Sequence, residues 1–245
     1  FLLSIMSAIL SAFIAVPLAI LVTFYKFPCH KFFSLSLSLS IAFPEYVYAF
    51  IFVGIFEYSS PLSEYLRSFD LYLPSIKNIY GASIIMSMAL FPYIFLITKA
   101  QLSSVGLNIF RAARSLGDSN IAAIRKVILP SLRPTIIDGM ALVIFETISD
   151  FGGVSTLRIE TFTVGIYDAW FGYQSYLTAS KLAGFLLIFV FIIILISKNF
   201  GQEKRNVAFK TAEIFEKIEL KWFKQVIISC ICLLIFIIIF CIPLL

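Results

Sequence analysis

Arg111-Ala112-Ala113-Arg114-Ser115-Leu116-Gly117, followed by Val127-Ile128-Leu129-Pro130, is a polar, alanine-rich island between long apolar segments. Ile109, Ala112, Ala113 and Leu116 recur at helical spacing, which predicts a helix with one apolar stripe and small residues at its centre. Gly117 stands where a helix needs a left-handed residue to stop, and Asp118 or Ser119 can cap the next one. That second helix carries Ile121, Ile124 and Ile128 on one side with Arg125 and Lys126 beside them, and Pro130 and Pro134 end it. A polar hairpin with a small-residue face, held between apolar spans, suits docking into another protein, with Ala113 against the partner. The plainer alternative is an amphipathic helix pair lying at a membrane surface.

The flanks settle the class. The 245 residues are 60% hydrophobic and 13% charged, with a mean hydropathy of +0.99; soluble proteins hold about 45–50% apolar residues. Several apolar runs reach about 20 residues, the length that crosses a bilayer core as a helix. The chain therefore reads as an all-α integral membrane protein, a polytopic helix bundle with about six spans. Its net charge of +5 is the basic excess of cytoplasmic loops and does not point to nucleic acid. The four cysteines, Cys29, Cys230, Cys232 and Cys241, have no paired metal spacing, and His30 is the single histidine. No metal site, cofactor or catalytic residue is expected. No glycine-rich phosphate loop with the Lys-Ser/Thr ending occurs, so the chain is not expected to hydrolyse ATP itself.

In order, spans are expected at 1–25, 33–56, 81–98, 135–156 and 176–196, and from Val226 onward. The chain begins and ends inside apolar runs, and both ends are expected to continue. Lysine and arginine concentrate in the loops 26–31, 99–133 and 198–224, whereas the alternate loops hold Arg67, Lys77 and Arg158. The positive-inside rule makes the first set cytoplasmic.

The hairpin resembles the cytoplasmic "EAA" loop of ABC importer permeases, the coupling helix that seats in a cleft of the ATPase. Ala112, Ala113, Gly117, Leu129 and Pro130 match that pattern, Val127 stands where the family usually has Ile, and Arg111 where it usually has Glu. Phe43-Pro44, Tyr46-Val47 and Ala49, then Phe91-Pro92-Tyr93, Phe145-Glu146-Thr147 through Asp150-Phe151-Gly152, Thr161-Phe162-Thr163, Gly165-Ile166-Tyr167 and Trp170-Phe171-Gly172 look like the ferric-iron, binding-protein-dependent branch. The resemblance implies a MetI-like fold in a bacterial inner membrane, an ATPase homodimer and a periplasmic substrate-binding protein as partners, and two six-span halves in one longer chain. Residues 1–197 would then be most of the first half, with the coupling loop at 99–133. Residues 198–224 would link the halves, and 225–245 would open the second.

Ionisable side chains at membrane depth are costly and mark functional sites by default. Four stand out: Glu45, Glu146, Asp150 and Lys181. Glu146 and Asp150, four apart, are expected on one helical face, and Lys181 lies at a depth where it can pair with Asp150. The strip either lines a translocation path or binds helices together structurally. As a path, its carboxylates repel oxyanions and suit a cation, ferric iron, a polyamine or thiamine. Tyr167, Trp170 and Phe171 lie just outside the fourth span, as a periplasmic gate or docking surface or as an interfacial aromatic belt. A proton- or ion-coupled secondary transporter using the same acids is the competing function; it leaves the hairpin unexplained.

Overall fold

A computed structural model describes residues 1–201 and 217–244, without the side chains of 105–108, 196–201 and 244. Four of its helices are long and apolar enough to cross a membrane, and two sharply bent helix pairs raise that to as many as six. The centre of the bundle is α1 (Leu2–Phe24) packed against α5 (Ile79–Gln101). Each has 23 residues, about 34 Å of helix, enough for a hydrocarbon core of about 30 Å. The contact face of α1 is a row of small residues, Ser4, Ser7, Ala8, Ser11, Ala15 and Ala19, all buried. Small side chains let two backbones approach closely where lipid supplies no hydrophobic drive, and the Ser11 hydroxyl donates across to the Ser87 carbonyl at 3.3 Å.

The second apolar stretch is broken where one span over 33–56 was expected. It forms α2 (His30–Leu39), a tight turn at Ser40–Ala42, and α3 (Glu45–Phe56). The two parts meet at 95°. Pro44 is the cause: it lacks an N–H and drives Phe43 into an extended conformation, φ −89°, ψ 121°. On the way to the third span, α4 (Pro61–Arg67) starts at a Ser60 side-chain cap. After α5 and a widened turn at Leu102–Gly106 come α6 (Leu107–Ser115), α7 (Asn120–Ala123), another widened turn at Ile124–Ile128, and α8 (Leu129–Ser131).

The fourth span is interrupted as well. In place of one helix over 135–156 there are α9 (Arg133–Ser149) and α10 (Gly152–Thr156), separated by an extended Asp150 with ψ 134°. Next come α11 (Phe162–Tyr167), a widened turn at Asp168–Gly172, and the long α12 (Tyr176–Gly201). Most of the expected linker, 202–216, lies outside the described residues. Its end forms a two-residue strand, β2 (Ile218–Glu219), parallel to β1 (Tyr25–Lys26) directly after α1. Finally α13 (Trp222–Phe236) runs through a widened turn at Ile237–Cys241 and packs on α2 through Phe32 and Phe236, ring centres 5.2 Å apart. Pro243 lacks the N–H that would serve the Ile239 carbonyl in an α-helix. The buried Tyr48 hydroxyl of α3 donates to that carbonyl at 2.8 Å.

Candidate functional site

The hairpin after α5 is shaped by its own sequence. The Asp118 N–H donates to the Ala113 carbonyl (3.2 Å) and the Gly117 N–H to the Arg114 carbonyl (3.1 Å), a pair of bonds that closes a helix around a left-handed residue. Gly117 supplies it, at φ +94°. Of the two cap candidates Ser119 is the one used: its oxygen accepts from the Ala122 N–H at 3.2 Å. Asp118 instead pairs with Lys126 at 3.4 Å, and its carbonyl accepts from Arg114 at 2.6 Å.

The hairpin is fastened to the bundle by Phe110, whose ring lies 4.9 Å from that of Phe24 at the end of α1. This divides the expected stripe in two. Ala113 is buried beside Phe110 within the chain's own core, which corrects its placement against a partner. Arg111, Ala112, Leu129 and above all Leu116 (87% exposed) and Ile121 (72%) face outward, and Val127 and Pro130 are half-buried.

The two helix breaks meet deeper in the bundle. Glu45 occupies the first turn of α3, immediately after the Pro44 break. Glu146 is in the last turn of α9 and Asp150 just beyond it. Glu45 lies in the electrostatic field of both Asp150 and Glu146, and Glu146 is hydrogen-bonded by the Tyr93 hydroxyl of α5. All four are half-buried. What brings α10 against α3 is the absence of a side chain at Gly152: a Cβ there would meet the Tyr46 Cβ at 2.9 Å.

Asp150 departs from expectation in its partners. It closes α9 as the cap residue, its N–H donating to the Glu146 carbonyl at 2.9 Å with a helical φ of −66°. It therefore keeps the Glu146 face, while its ψ of 134° turns the chain after it. Its carboxylate caps α10, accepting from the N–H groups of Val154 (2.8 Å) and Gly153 (3.2 Å), while its carbonyl accepts from the Thr163 hydroxyl at 2.8 Å. Among the described residues no ion pair joins it to Lys181, which is exposed on α12. With both oxygens engaged by α10, Asp150 has an alternative to that cation. Tyr93 was missed as a member of this cluster; its place directly after Pro92, inside an apolar span, was the available signal.

Outside this cluster, the Tyr167 ring packs at a tilt against Phe151 (4.6 Å) and Phe171 (4.9 Å), and Trp170 meets Tyr176 edge-on at 4.8 Å. Tyr167, Trp170 and Phe171 are exposed, and buried Ala169 holds their turn to the body.

Residues 11–202 match the family described as the binding-protein-dependent transport system inner membrane component. The chain belongs to this family. Among its relatives, the sulfate transport system permease protein CysT of Salmonella typhimurium is 28% identical over 140 residues, 56% of this chain and 49% of that protein. The Fe(3+)-transport system permease protein FbpB 2 of Haemophilus influenzae is 24% identical over 176 residues, 72% of this chain and 31% of that one. The chain thus spans about half the length of the sulfate permease and about a third of the ferric one. The crystal structure of an amino acid ABC transporter superposes with a TM-score of 0.57 at 16% identity, covering 82% of this chain and 89% of that chain. A bacterial ABC transporter involved in import of the acidic polysaccharide alginate gives 0.57 at 17%, covering 84% and 80%. The MetI-like helical architecture is shared with these permeases.

Proposed function

We propose that this chain is the membrane subunit of an ATP-driven, binding-protein-dependent importer, with the Gly117 hairpin as its contact to a partner ATPase dimer. Family membership supports the importer reading. The outward row of Arg111, Ala112, Leu116 and Ile121 supports the docking role, because it couples an exposed, largely apolar surface to a hairpin closed at Gly117. A binding protein would deliver cargo at the opposite face, near Tyr167, Trp170 and Phe171. Nucleotide-driven approach of the two ATPase subunits would then move the spans between outward- and inward-facing states.

The cargo we propose is a cation, ferric iron being the first candidate. The observation that carries this is the meeting of two broken spans at Glu45 and Glu146, with Tyr93 between helices. Interrupted helices at membrane depth are tolerated where they line a cavity or are buried in protein, and in transporters such breaks hold the substrate site. Two carboxylates there attract positive cargo and repel oxyanions. Among the described residues the acids do not gather into a set able to hold a metal ion, so tight binding would belong to the soluble partner and the path would only pass the cargo on.

Import of an oxyanion is the second reading, favoured by the sulfate permeases among the relatives. The complete transporter, reconstituted with its ATPase in liposomes, separates the two. ATPase activity should rise with an iron-loaded binding protein and be indifferent to a sulfate-loaded one. The reverse result establishes the oxyanion, and stimulation by neither removes both cargo readings.

A further inference from the structure

The bundle carries a second charged cluster, at the rim that bears the hairpin. Lys31 sits in the first turn of α2, and the Lys99 ammonium, from the last turn of α5, reaches the Ser34 carbonyl one turn further along α2 at 3.4 Å. The pairing of β1 with β2, Tyr25 opposite Ile218, sets Lys217 beside the end of α1, where its ammonium donates to the Val22 carbonyl at 2.8 Å. Lys217 lies in the field of both Lys99 and Lys31, and His30 in that of Lys217, Lys31 and Lys26. One described carboxylate is near, Glu219, and it pairs with Lys26 at 2.8 Å. Among the described residues, Lys31, Lys99 and Lys217 have no carboxylate partner.

Three cations brought together from three separate elements repel one another, and Lys99 and Lys217 do so while half-buried. Burial lowers the Lys217 pKa below the ordinary lysine range, and its two lysine neighbours add to this. Backbone carbonyls hold the Lys99 and Lys217 ammoniums in place but supply no countercharge. We propose that Lys31, Lys99 and Lys217, with His30 at their edge, form a binding site for a phosphate group. Lysine is a point-charge ligand for phosphate, and each ammonium brings three donors to a group rich in acceptor oxygens. Two sources present this chemistry at a membrane rim: the headgroup of an anionic phospholipid, or free inorganic phosphate. Either would join the segment after α12, through Lys217, to the base of α5 from which the hairpin emerges. Occupancy does not depend on which cargo is carried.

The test uses the full-length protein with its partner subunits in nanodiscs of phosphatidylcholine, with or without phosphatidylglycerol, and native mass spectrometry to count retained lipid. Wild type should retain phosphatidylglycerol, and the K31Q/K99Q/K217Q variant should hold it roughly a hundredfold less tightly, from the attraction each lysine adds near an anionic group. The matching triple arginine variant should restore retention, and K126Q, at an exposed lysine of the hairpin, should leave it unchanged. If the triple glutamine variant does not assemble, Lys217→Gln alone, outside the spans, should lower retention about fivefold. In phosphatidylcholine discs, saturable binding of inorganic phosphate that disappears with the same substitutions, without phosphatidylglycerol retention, identifies free phosphate as the source. Equal phosphatidylglycerol retention by wild type and the glutamine variants, or binding of neither probe, overturns the site.

Discussion

Gly117 and Asp150 both interrupt a helix, and both neighbourhoods start the next helix with a side-chain oxygen on a backbone N–H, Ser119 in one and Asp150 in the other. The surroundings differ. At the hairpin, Leu116, Gly117 and Ile121 are exposed, so backbone groups released by the break have solvent as a partner, and one glycine with one serine suffices. At the Asp150 break the chain is half-buried among other spans, and released groups must find partners in protein. There Asp150 engages two N–H groups with its carboxylate and the Thr163 hydroxyl with its carbonyl. A break in water needs a permissive backbone; a break inside a membrane bundle needs a satisfied one. The first kind can serve as a rigid connector, while the second places polar groups at a depth where they can meet cargo.

This contrast is breakable in three places. Gly117→Val carries the largest expected effect. No heavy atom lies within 4 Å of a Cβ at this position, so any loss must come from the φ of +94°, which costs a β-branched residue about 1–3 kcal/mol. Uptake should fall by at least about tenfold while the protein still inserts in the membrane. Uptake at the wild-type rate would mean that the closed shape of the hairpin is not what transmits motion.

The joint change Glu45→Gln and Glu146→Gln comes next. The amides preserve size and the contact to Tyr93 but remove charge, so cation uptake should drop about tenfold. A thermal melt of the complex should shift little, since contacts of this type between helices contribute roughly 0.6 kcal/mol each. A large fall in melting temperature with unimpaired uptake would turn these acids into structural groups.

The smallest effects are expected at Asp150 and Lys181. Asp150→Ala should lower stability by about 1 kcal/mol, the usual loss for a helix cap. Asp150→Asn, which can still cap, should be close to neutral in stability and in uptake. Lys181→Met should change neither. Should Asp150→Asn abolish uptake and Lys181→Met rescue it, the two form a pair during transport that the described state lacks.

The hairpin was legible because its instructions lie within a few residues, Gly117 at the stop and Ser119 at the next start. Pro130, expected to end the second helix, instead lies within it, and the chain turns at Leu132 with Pro134 in the first turn of α9. Even so, helical periodicity placed Ala112 and Ala113 on one face, and only Phe110 seated against Phe24 shows that Ala113 turns inward. The six apolar stretches were equally plain, because length and hydropathy are what a bilayer selects. The breaks were harder to read. Pro44 and the Asp150-Phe151-Gly152-Gly153 run are turn signals, but inside 20-residue apolar stretches they compete with the expectation of a continuous helix. Their outcome is decided by residues far away in sequence: Tyr46 beside Gly152, and Thr163 on the Asp150 carbonyl. Tyr93 joined the acids only once α5 was placed in space.

The hydrogen bond from Tyr48 to the Ile239 carbonyl bears on how the molecule is made. The two residues are 191 positions apart, and a ribosome adding about 5–20 residues per second completes the tyrosine roughly 10–40 s before the helix that needs it. During that interval the phenol has no mate at this position. When α13 and the turn after it arrive, Pro243 denies the Ile239 carbonyl the amide that an α-helix would give it, and the Tyr48 hydroxyl takes that place. The late helix thus has a chemical reason to settle beside the early one rather than drift alone through the bilayer.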